Sequence, residues 1–278
     1  MTPNALTAWS EIAPRLARFQ RLAVFADFDG TLAPIRARPS IVRLPARARR
    51  VLKQLAARGE IVGVISGRGL RDLRARVGLS GLWYVGDHGF LLQSPQGATL
   101  RLVRRSEQRA IVRVSHRLAA SLAGRKGLTV EVKDAGIAVH FRNAPRSSRI
   151  VAARLTRRLA KGTPGLRAMA GKCVWEIVPG AAVDKALAVR LILQSERRRA
   201  SPTILPIYIG DDTADERVFS MRLGLSIAVG PRPSAAAQYA LRSPVEVCRW
   251  LERLAAFAGQ AFATGRRASA ARPQTRRE

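Results

Sequence analysis

Leu22-Ala23-Val24-Phe25-Ala26 followed by Asp27-Phe28-Asp29-Gly30-Thr31-Leu32 is the stretch that decides how this chain is read. The five apolar residues read as a buried strand. Its end delivers two carboxylates, two residues apart, into a Gly-Thr turn. On the lip of a parallel sheet such a pair can divide the work, one acid attacking while the other manages a proton. A surface Asx turn is the alternative for a bare Asp-x-Asp, and the strand before it argues against that alternative here.

Outward from this stretch, strand-like runs alternate with helix-like segments. Arg47 to Arg58 places Val51, Leu52, Leu55 and Ala56 on one helical face, with Gly59 as a stop. Ile61 to Ile65 is a second buried strand, Leu82 to Val85 a third and Ile204 to Ile209 a fourth. The strands end in Ser66-Gly67-Arg68, Gly86-Asp87-His88-Gly89 and Gly210-Asp211-Asp212. Runs of this length alternating with helices predict a parallel α/β sheet, and polar motifs gather at its carboxyl ends, where such sheets bind ligands. Between about 104 and 179 the pattern changes. Ile111, Val114, Leu118 and Leu122 share a helix face, strands follow at Thr129 to Lys133 and Ile137 to Arg142, and a helix at about 148–160 precedes another strand pair ending at Val178. This αββαββ order predicts an antiparallel sheet covered by two helices, inserted between core segments 17–103 and 180–258. From Gly259 to Glu278 the chain is Ala, Gly, Arg and Ser without apolar periodicity and is expected to be a disordered basic tail.

The 278 residues suffice for one core domain plus an inserted module. No stretch approaches the ~18 uninterrupted apolar residues of a membrane span. The N-terminus, carrying Glu11 and lacking a continuous apolar region, is a poor secretory signal. Cys173 and Cys248 provide neither a disulfide framework nor a metal-ligand spacing. A soluble cytoplasmic protein is therefore expected. The formal net charge is +30, with 43 of 49 basic residues Arg. Such a field attracts polyanions, so nucleic acid and anionic membrane have to be considered. Aromatic residues at 5% leave little for a base-stacking surface. The Args are scattered over most of the length, which favours decoration of exposed helix faces over a nucleic-acid site.

The remaining polar motifs suit phosphate chemistry. The Ser66 hydroxyl and neighbouring amides could hold a phosphoryl oxygen. Lys185, at the start of an amphipathic helix, is a compact charge suited to a transferring phosphoryl group. Asp211, Asp212 and Asp215 offer hard oxygens that suit magnesium. In the inserted module, strand alternation places Glu131 with Lys133, His140 with Arg142, and Lys172 with Glu176, each pair on one face of its strand. A solvated sheet face with cross-strand salt bridges is the plainer reading of that pattern.

Asp27-Phe28-Asp29-Gly30-Thr31-Leu32 resembles the first motif of the haloacid-dehalogenase-like (HAD) phosphohydrolases, and its extension through Ala33-Pro34-Ile35 resembles the trehalose-6-phosphate phosphatase branch. Gly210 to Glu216 (GDDTADE) resembles the family's GDDxTDE, with Ala214 where a Thr is usual. The strings VEVKDAGIAVHFRNAP (130–145) and GKCVWEIVPG (171–180) resemble that branch's cap. The resemblance covers about Arg21 to Leu254 and implies a Rossmann-like core with an inserted α+β cap. It implies Asp27 as nucleophile, Asp29 as general acid/base, and Ser66 and Lys185 as phosphoryl-binding groups, with Lys185-Ala186 where Lys-Gly is usual. Magnesium is implied, held by Asp27, Asp211 and the Asp29 carbonyl and supported by Asp212 and Asp215. Arg68, His88, Glu131, Lys133, His140, Arg142, Lys172 and Glu176 are the implied substrate-binding groups. The implied reaction is hydrolysis of trehalose 6-phosphate, with a trehalose-6-phosphate synthase as pathway neighbour. A monomer is expected, with no specific nucleic acid and no membrane. A phosphatase for a glucosylglycerol or sucrose phosphate, or an Arg-rich nucleic-acid-binding protein on this fold, are the alternatives.

Overall fold

The run that opens the reading forms β1 (Arg21–Asp27), the central strand of an eight-stranded sheet. The structure, a computed structural model, describes residues 2–36, 41–171, 173–199, 203–231 and 234–263. After helix α1 (Trp9–Ala17) and β1 come α2 (Ala46–Ala57), β2 (Ile61–Ile65), α3 (Leu70–Val77) and β3 (Trp83–Gly86). The short strands β4 (Leu91–Gln93) and β5 (Thr99–Arg101) then add an antiparallel edge. A second segment contributes α6 (Lys185–Arg199), β10 (Ile204–Gly210), α7 (Thr213–Ser220), β11 (Leu225–Val229), β12 (Tyr239–Leu241) and α8 (Pro244–Ala263). The spatial order is β12-β11-β10-β1-β2-β3-β4-β5, with every pairing from β12 to β3 parallel.

Alternation along β1 sorts its side chains between two cores. Leu22, Val24 and Ala26 pack on the side of α1, α2, α3 and α8, while Ala23 and Phe25 pack with Ala188, Val189 and Ile192 of α6. Asp27 shares the parity of Ala23 and Phe25, so it emerges toward α6. Chain order reverses at β1, which has β2 on one side and β10 on the other. That is the switch point at which open α/β sheets leave a crevice beyond their carboxyl ends.

Between β5 and α6 lies the predicted insertion: α4 (Arg105–Leu122), β6 (Thr129–Lys133), β7 (Gly136–His140), α5 (Arg146–Lys161), β8 (Leu166–Gly171) and β9 (Val174–Pro179). Its antiparallel sheet runs β6-β7-β9-β8. Ile137, Val139 and Ile177 turn to α4 and α5 and meet Ile111, Val114, Leu118 and Leu122 from the predicted helix face. The opposite face lies toward the core, where Ala135 and Val178 join the main hydrophobic cluster. The result is a mixed α/β core with an α+β cap.

Several features lie outside the sequence reading, among them the strands β4, β5, β11 and β12. The segment before residue 17 forms α1, whose Trp9 packs edge-on against Trp250 and Phe257 of α8. Helix α8 continues to Ala263, so it takes in the first residues of the expected tail; residues 264–278 lie outside the described part, as does Lys172. No described helix is long and apolar enough to cross a membrane.

Candidate active site

Asp27 ends β1 and is buried, its side chain 7% exposed. Phe28 to Ala33 then fold back as a tight turn, with Gly30 N–H donating to the Ala33 carbonyl at 2.7 Å and Ala33 N–H to the Phe28 carbonyl at 2.9 Å. Gly30 sits at φ 90, and a Cβ there would lie 2.1 Å from Asp211 Oδ2, so only glycine lets the β1 and β10 motifs approach this closely. Thr31 Oγ1 donates to Asp211 Oδ1 at 3.2 Å, fastening the two motifs together.

Lys185 opens α6 in the face of Asp27, helped by Asp184, whose Oδ1 accepts the Leu187 amide at 2.8 Å. Its buried ammonium donates to Asp27 Oδ1 at 2.6 Å and to Asp215 Oδ1 at 2.7 Å. Asp215 is fully buried; Oδ1 also accepts from the Tyr208 hydroxyl at 2.7 Å and Oδ2 from the Asp212 amide at 3.0 Å. Its oxygens are thus committed to holding Lys185 and the start of α7. Asp212 is exposed and caps α7 through the Thr213 amide.

Electrostatically, this corner carries an excess of negative charge. Burial is the main force that raises the Asp27 pKa well above its ordinary value; Lys185 opposes it, and Asp215 and Asp211 add to it. Asp211 is pushed up to about 6 by burial and then by Asp215 and Asp212. Burial alone would lower the Lys185 pKa, but Asp215 and Asp27 overcome it and keep the ammonium charged. Asp27, Asp211 and Asp215 each offer an oxygen within 4.8 Å of the others, a group able to hold a metal ion. Three carboxylates facing one buried ammonium, all with hard oxygen donors, fit a small divalent cation.

The loop after β2 forms the other wall. Ser66 is buried, its amide donates to the Val85 carbonyl, and Oγ accepts the Arg68 amide at 3.2 Å. Arg68 forks onto Asp29, with Nε to Oδ2 at 2.6 Å and Nη2 to Oδ1 at 2.8 Å, and lies over the Phe28 ring. Its Nη1 reaches Asp72 at 3.0 Å; Asp72 in turn accepts from Arg76, which is anchored on the Val42 carbonyl. Burial acts to raise the Asp72 pKa, yet Arg76 and Arg68 bring it below the usual carboxylate range. Asp29 therefore stands at the head of a row of alternating charges.

The cap closes over this loop. Lys133 Nζ donates to the Gly67 carbonyl at 2.8 Å and to Glu176 Oε1 at 2.5 Å, while Glu176 Oε2 meets His88 Nε2 at 2.8 Å. Burial resists ionisation of Glu176, but His88 and Lys133 bring its pKa down to about 2. Glu131, Ala138, Glu176 and Met169 stand in register across β6, β7, β9 and β8, a row on the core-facing side of the sheet. Glu131 binds His140 at 2.7 Å, whereas Arg142 lies exposed beyond the end of β7. Of the residues singled out from sequence, Asp27, Lys185, Asp211 and Asp215 form one cluster and Glu176, Lys133 and His88 a second. Asp29, in the turn after β1, and Ser66 and Arg68, in the loop after β2, stand between them.

A family model described as Trehalose-phosphatase matches residues 25–234, from the middle of β1 past β11. The chain belongs to the trehalose-phosphatase family. A trehalose-phosphate phosphatase of Mycobacterium tuberculosis is 38% identical over 264 residues, which are 91% of this chain and 66% of that protein. The chain thus spans slightly less than two thirds of that relative. Among solved structures, the C-terminal domain of a Candida albicans trehalose-6-phosphate phosphatase superposes with a TM-score of 0.74 at 21% identity, covering 92% of this chain and 98% of that one. A haloacid dehalogenase-like hydrolase from Bacteroides thetaiotaomicron shares the fold, with a TM-score of 0.62 at 18% identity and coverage of 84% and 99%. The trehalose-phosphatase match includes the strand-end motifs at Asp27, Ser66 and Gly86, the cap and GDDTADE, so the core and cap are matched as one unit. Asp72, Arg76 and Tyr208, which brace Arg68 and Asp215, had no recognisable sequence signal; they are side chains on otherwise ordinary elements.

Proposed function

We propose that this chain is a magnesium-dependent phosphatase that converts trehalose 6-phosphate to trehalose and phosphate. The observation that supports this best is the arrangement of a buried Asp27–Lys185 pair beneath a cap whose Lys133, paired with Glu176, reaches the loop of Ser66. Lys185 occupies Asp27 Oδ1, leaving Oδ2 as the attacking oxygen. In-line attack on phosphorus would form an aspartyl-phosphate and release the sugar oxygen. Ser66 and Lys185 then balance charge on the equatorial oxygens, so catalysis is chiefly positioning and electrostatics. Asp29 protonates the departing oxygen and afterwards takes a proton from the water that cleaves the acyl-phosphate. To do so its carboxylate has to leave Arg68, and an anionic substrate competing for that guanidinium provides the exchange. Asp27, Asp211 and the Asp29 carbonyl would hold magnesium, which supplies neutralising charge to the crowded carboxylates and the phosphoryl oxygens.

The cap row of Glu131 and Glu176, with Lys133, presents acceptors and a donor for sugar hydroxyls. The test is phosphate release over a panel holding trehalose 6-phosphate, sucrose 6-phosphate, glucosylglycerol phosphate and glucose 6-phosphate, with magnesium and with chelator. Strong preference for trehalose 6-phosphate, lost on chelation, is expected. Preference for another member of the panel would keep the chemistry and reassign the substrate.

A further inference from the structure

One carboxylate beside the cleft takes no part in the chemistry above. Asp87 follows β3 and is only 2% exposed. Its backbone lies in the left-handed region at φ 50 and the next residue, His88, at φ 58, a conformation that side chains with a Cβ rarely adopt. The turn is tied to the phosphate loop, for the Asp87 amide donates to the Arg68 carbonyl at 2.7 Å and the His88 amide to the Ser66 carbonyl at 3.1 Å. Its side chain meets the tip of the β6–β7 hairpin of the cap, where Oδ1 accepts the Ala135 amide at 3.4 Å. Oδ2 is buried and makes no well-formed hydrogen bond, although the Leu70 amide faces the carboxyl. Ala135 itself is fully buried in the core cluster, so the hairpin tip is lodged in the core rather than resting on it. Two residues earlier on the same hairpin, Lys133 reaches Gly67 and Glu176.

We propose that Asp87 is a positioning residue for the cap, its buried carboxyl seating the hairpin tip and so setting Lys133 and Glu176 over the phosphate loop. What those groups grip rests on the function proposed above; the seating does not. The charged groups facing Asp87 are Lys133, which attracts it, and Asp134, which repels it; α3 faces it with the Leu70 amide, and the adjacent His88 is turned to Glu176. Burial is the largest influence and pushes the Asp87 carboxyl up to about 7 against the pull of Lys133, with Asp134 adding to the rise and the two amides offsetting it slightly. A carboxyl in water titrates at about 3.9, so seating the tip takes up a proton between these values. The sign follows: the seat is tightest on the acid side of neutrality and loosens as pH rises to 7. Asp87→Asn keeps an acceptor for Ala135 and removes the titration.

The experiment is hydrogen exchange of the segment 133–137 in the full chain at pH 6 and pH 8, corrected for intrinsic exchange rates, in wild type, Asp87→Asn and Asp87→Ala. It needs no substrate. Wild type should lose about tenfold in Ala135 amide protection between the two pH values, and Asp87→Asn should show equal protection at both. Asp87→Ala should exchange about tenfold faster at pH 6 with β1 to β3 unchanged. In parallel, Asp87→Ala should lower kcat/KM on trehalose 6-phosphate about tenfold while p-nitrophenyl phosphate turnover stays within about threefold. Equal hairpin protection in wild type and Asp87→Ala overturns the proposal. A wild-type pH dependence that persists in Asp87→Asn overturns it too, and this second variant decides the matter if Asp87→Ala fails to fold. Loss of hairpin protection in Asp87→Ala from a wild type that ignores trehalose 6-phosphate upholds the seat and removes only the substrate assignment.

Discussion

At the scale of single residues, the site sets the proposed nucleophile, Asp27, against its own electrostatic cost. Asp27 shares a buried corner with Asp211 and Asp215 and has one ammonium, Lys185, for relief. Asp27→Asn removes a charge from that crowd while preserving shape, and an amide cannot form the acyl-phosphate. Phosphate release should therefore vanish in Asp27→Asn while the thermal midpoint stays level or rises; turnover near the wild-type rate would sink the covalent mechanism. Glu176 behaves in the opposite sense, since His88 and Lys133 bring its pKa down to about 2. A lowered carboxylate contributes stability that is fully present above the ordinary glutamate value and is lost as pH falls through the native one. The shift corresponds to on the order of 3 kcal/mol, lost between about pH 4.5 and 2. The gap in thermal midpoint between wild type and Glu176→Gln should accordingly narrow by at least half from pH 6 to pH 3. On substrate, Glu176→Ala should lower kcat/KM for trehalose 6-phosphate roughly ten- to a hundred-fold with little effect on p-nitrophenyl phosphate. Equal loss on both would show that Glu176 does not read the sugar.

At the scale of elements, the turn after β1 shows how much rests on backbone shape. Gly30→Ala would force a Cβ into the Asp211 carboxylate at φ 90. Activity should fall at least about a hundredfold, a loss expected when reacting groups shift by about 1 Å, with a lower thermal midpoint in the same protein. This turn was legible in the sequence because Asp-x-Asp-Gly-Thr after an apolar run leaves few options for the chain. The same holds for β1, β2, β3 and β10, whose doubly buried runs announce themselves, and for the cap, where the helical face of Ile111 to Leu122 and the helix at about 148–160 alternate with strand pairs. The short strands β4, β5 and β12 have three residues each and no periodicity to betray them. Helix α1 carries Pro14 inside it and is held by Trp250 and Phe257, partners more than 200 residues away. Arg68 stood out in the sequence beside Ser66, but its fork onto Asp29 is braced by Asp72 and Arg76 of α3, which did not. Asp87 stayed hidden because an acid between Gly86 and His88 reads as a solvated turn until the cap covers it.

At the scale of the whole molecule, charge and topology each have a consequence. Every acidic residue in the cap, Glu107, Glu131, Asp134 and Glu176, is buried or half-buried. Meanwhile Arg105, Arg109, Arg113 and Arg117 repeat every fourth residue along α4, and Arg146, Arg149, Arg154 and Arg157 follow α5, all exposed. Random-sequence DNA should bind weakly, and its affinity should fall at least about tenfold between 50 and 200 mM salt through counterion release. Tight, sequence-selective binding that ignores salt would move the nucleic-acid reading to first place. At the opposite extreme from the cap, Asn4 bridges to Ala240 and Trp9 packs on the helix that ends at Ala263. Head and tail of the described chain thus share one edge of the sheet, distant in sequence from every residue of the cleft. A circular permutant that joins those ends through a flexible linker and opens the chain at the exposed Gly97 turn would keep all strand pairings intact. The order in which core and cap emerge during synthesis would then be reversed without touching a residue of the cleft.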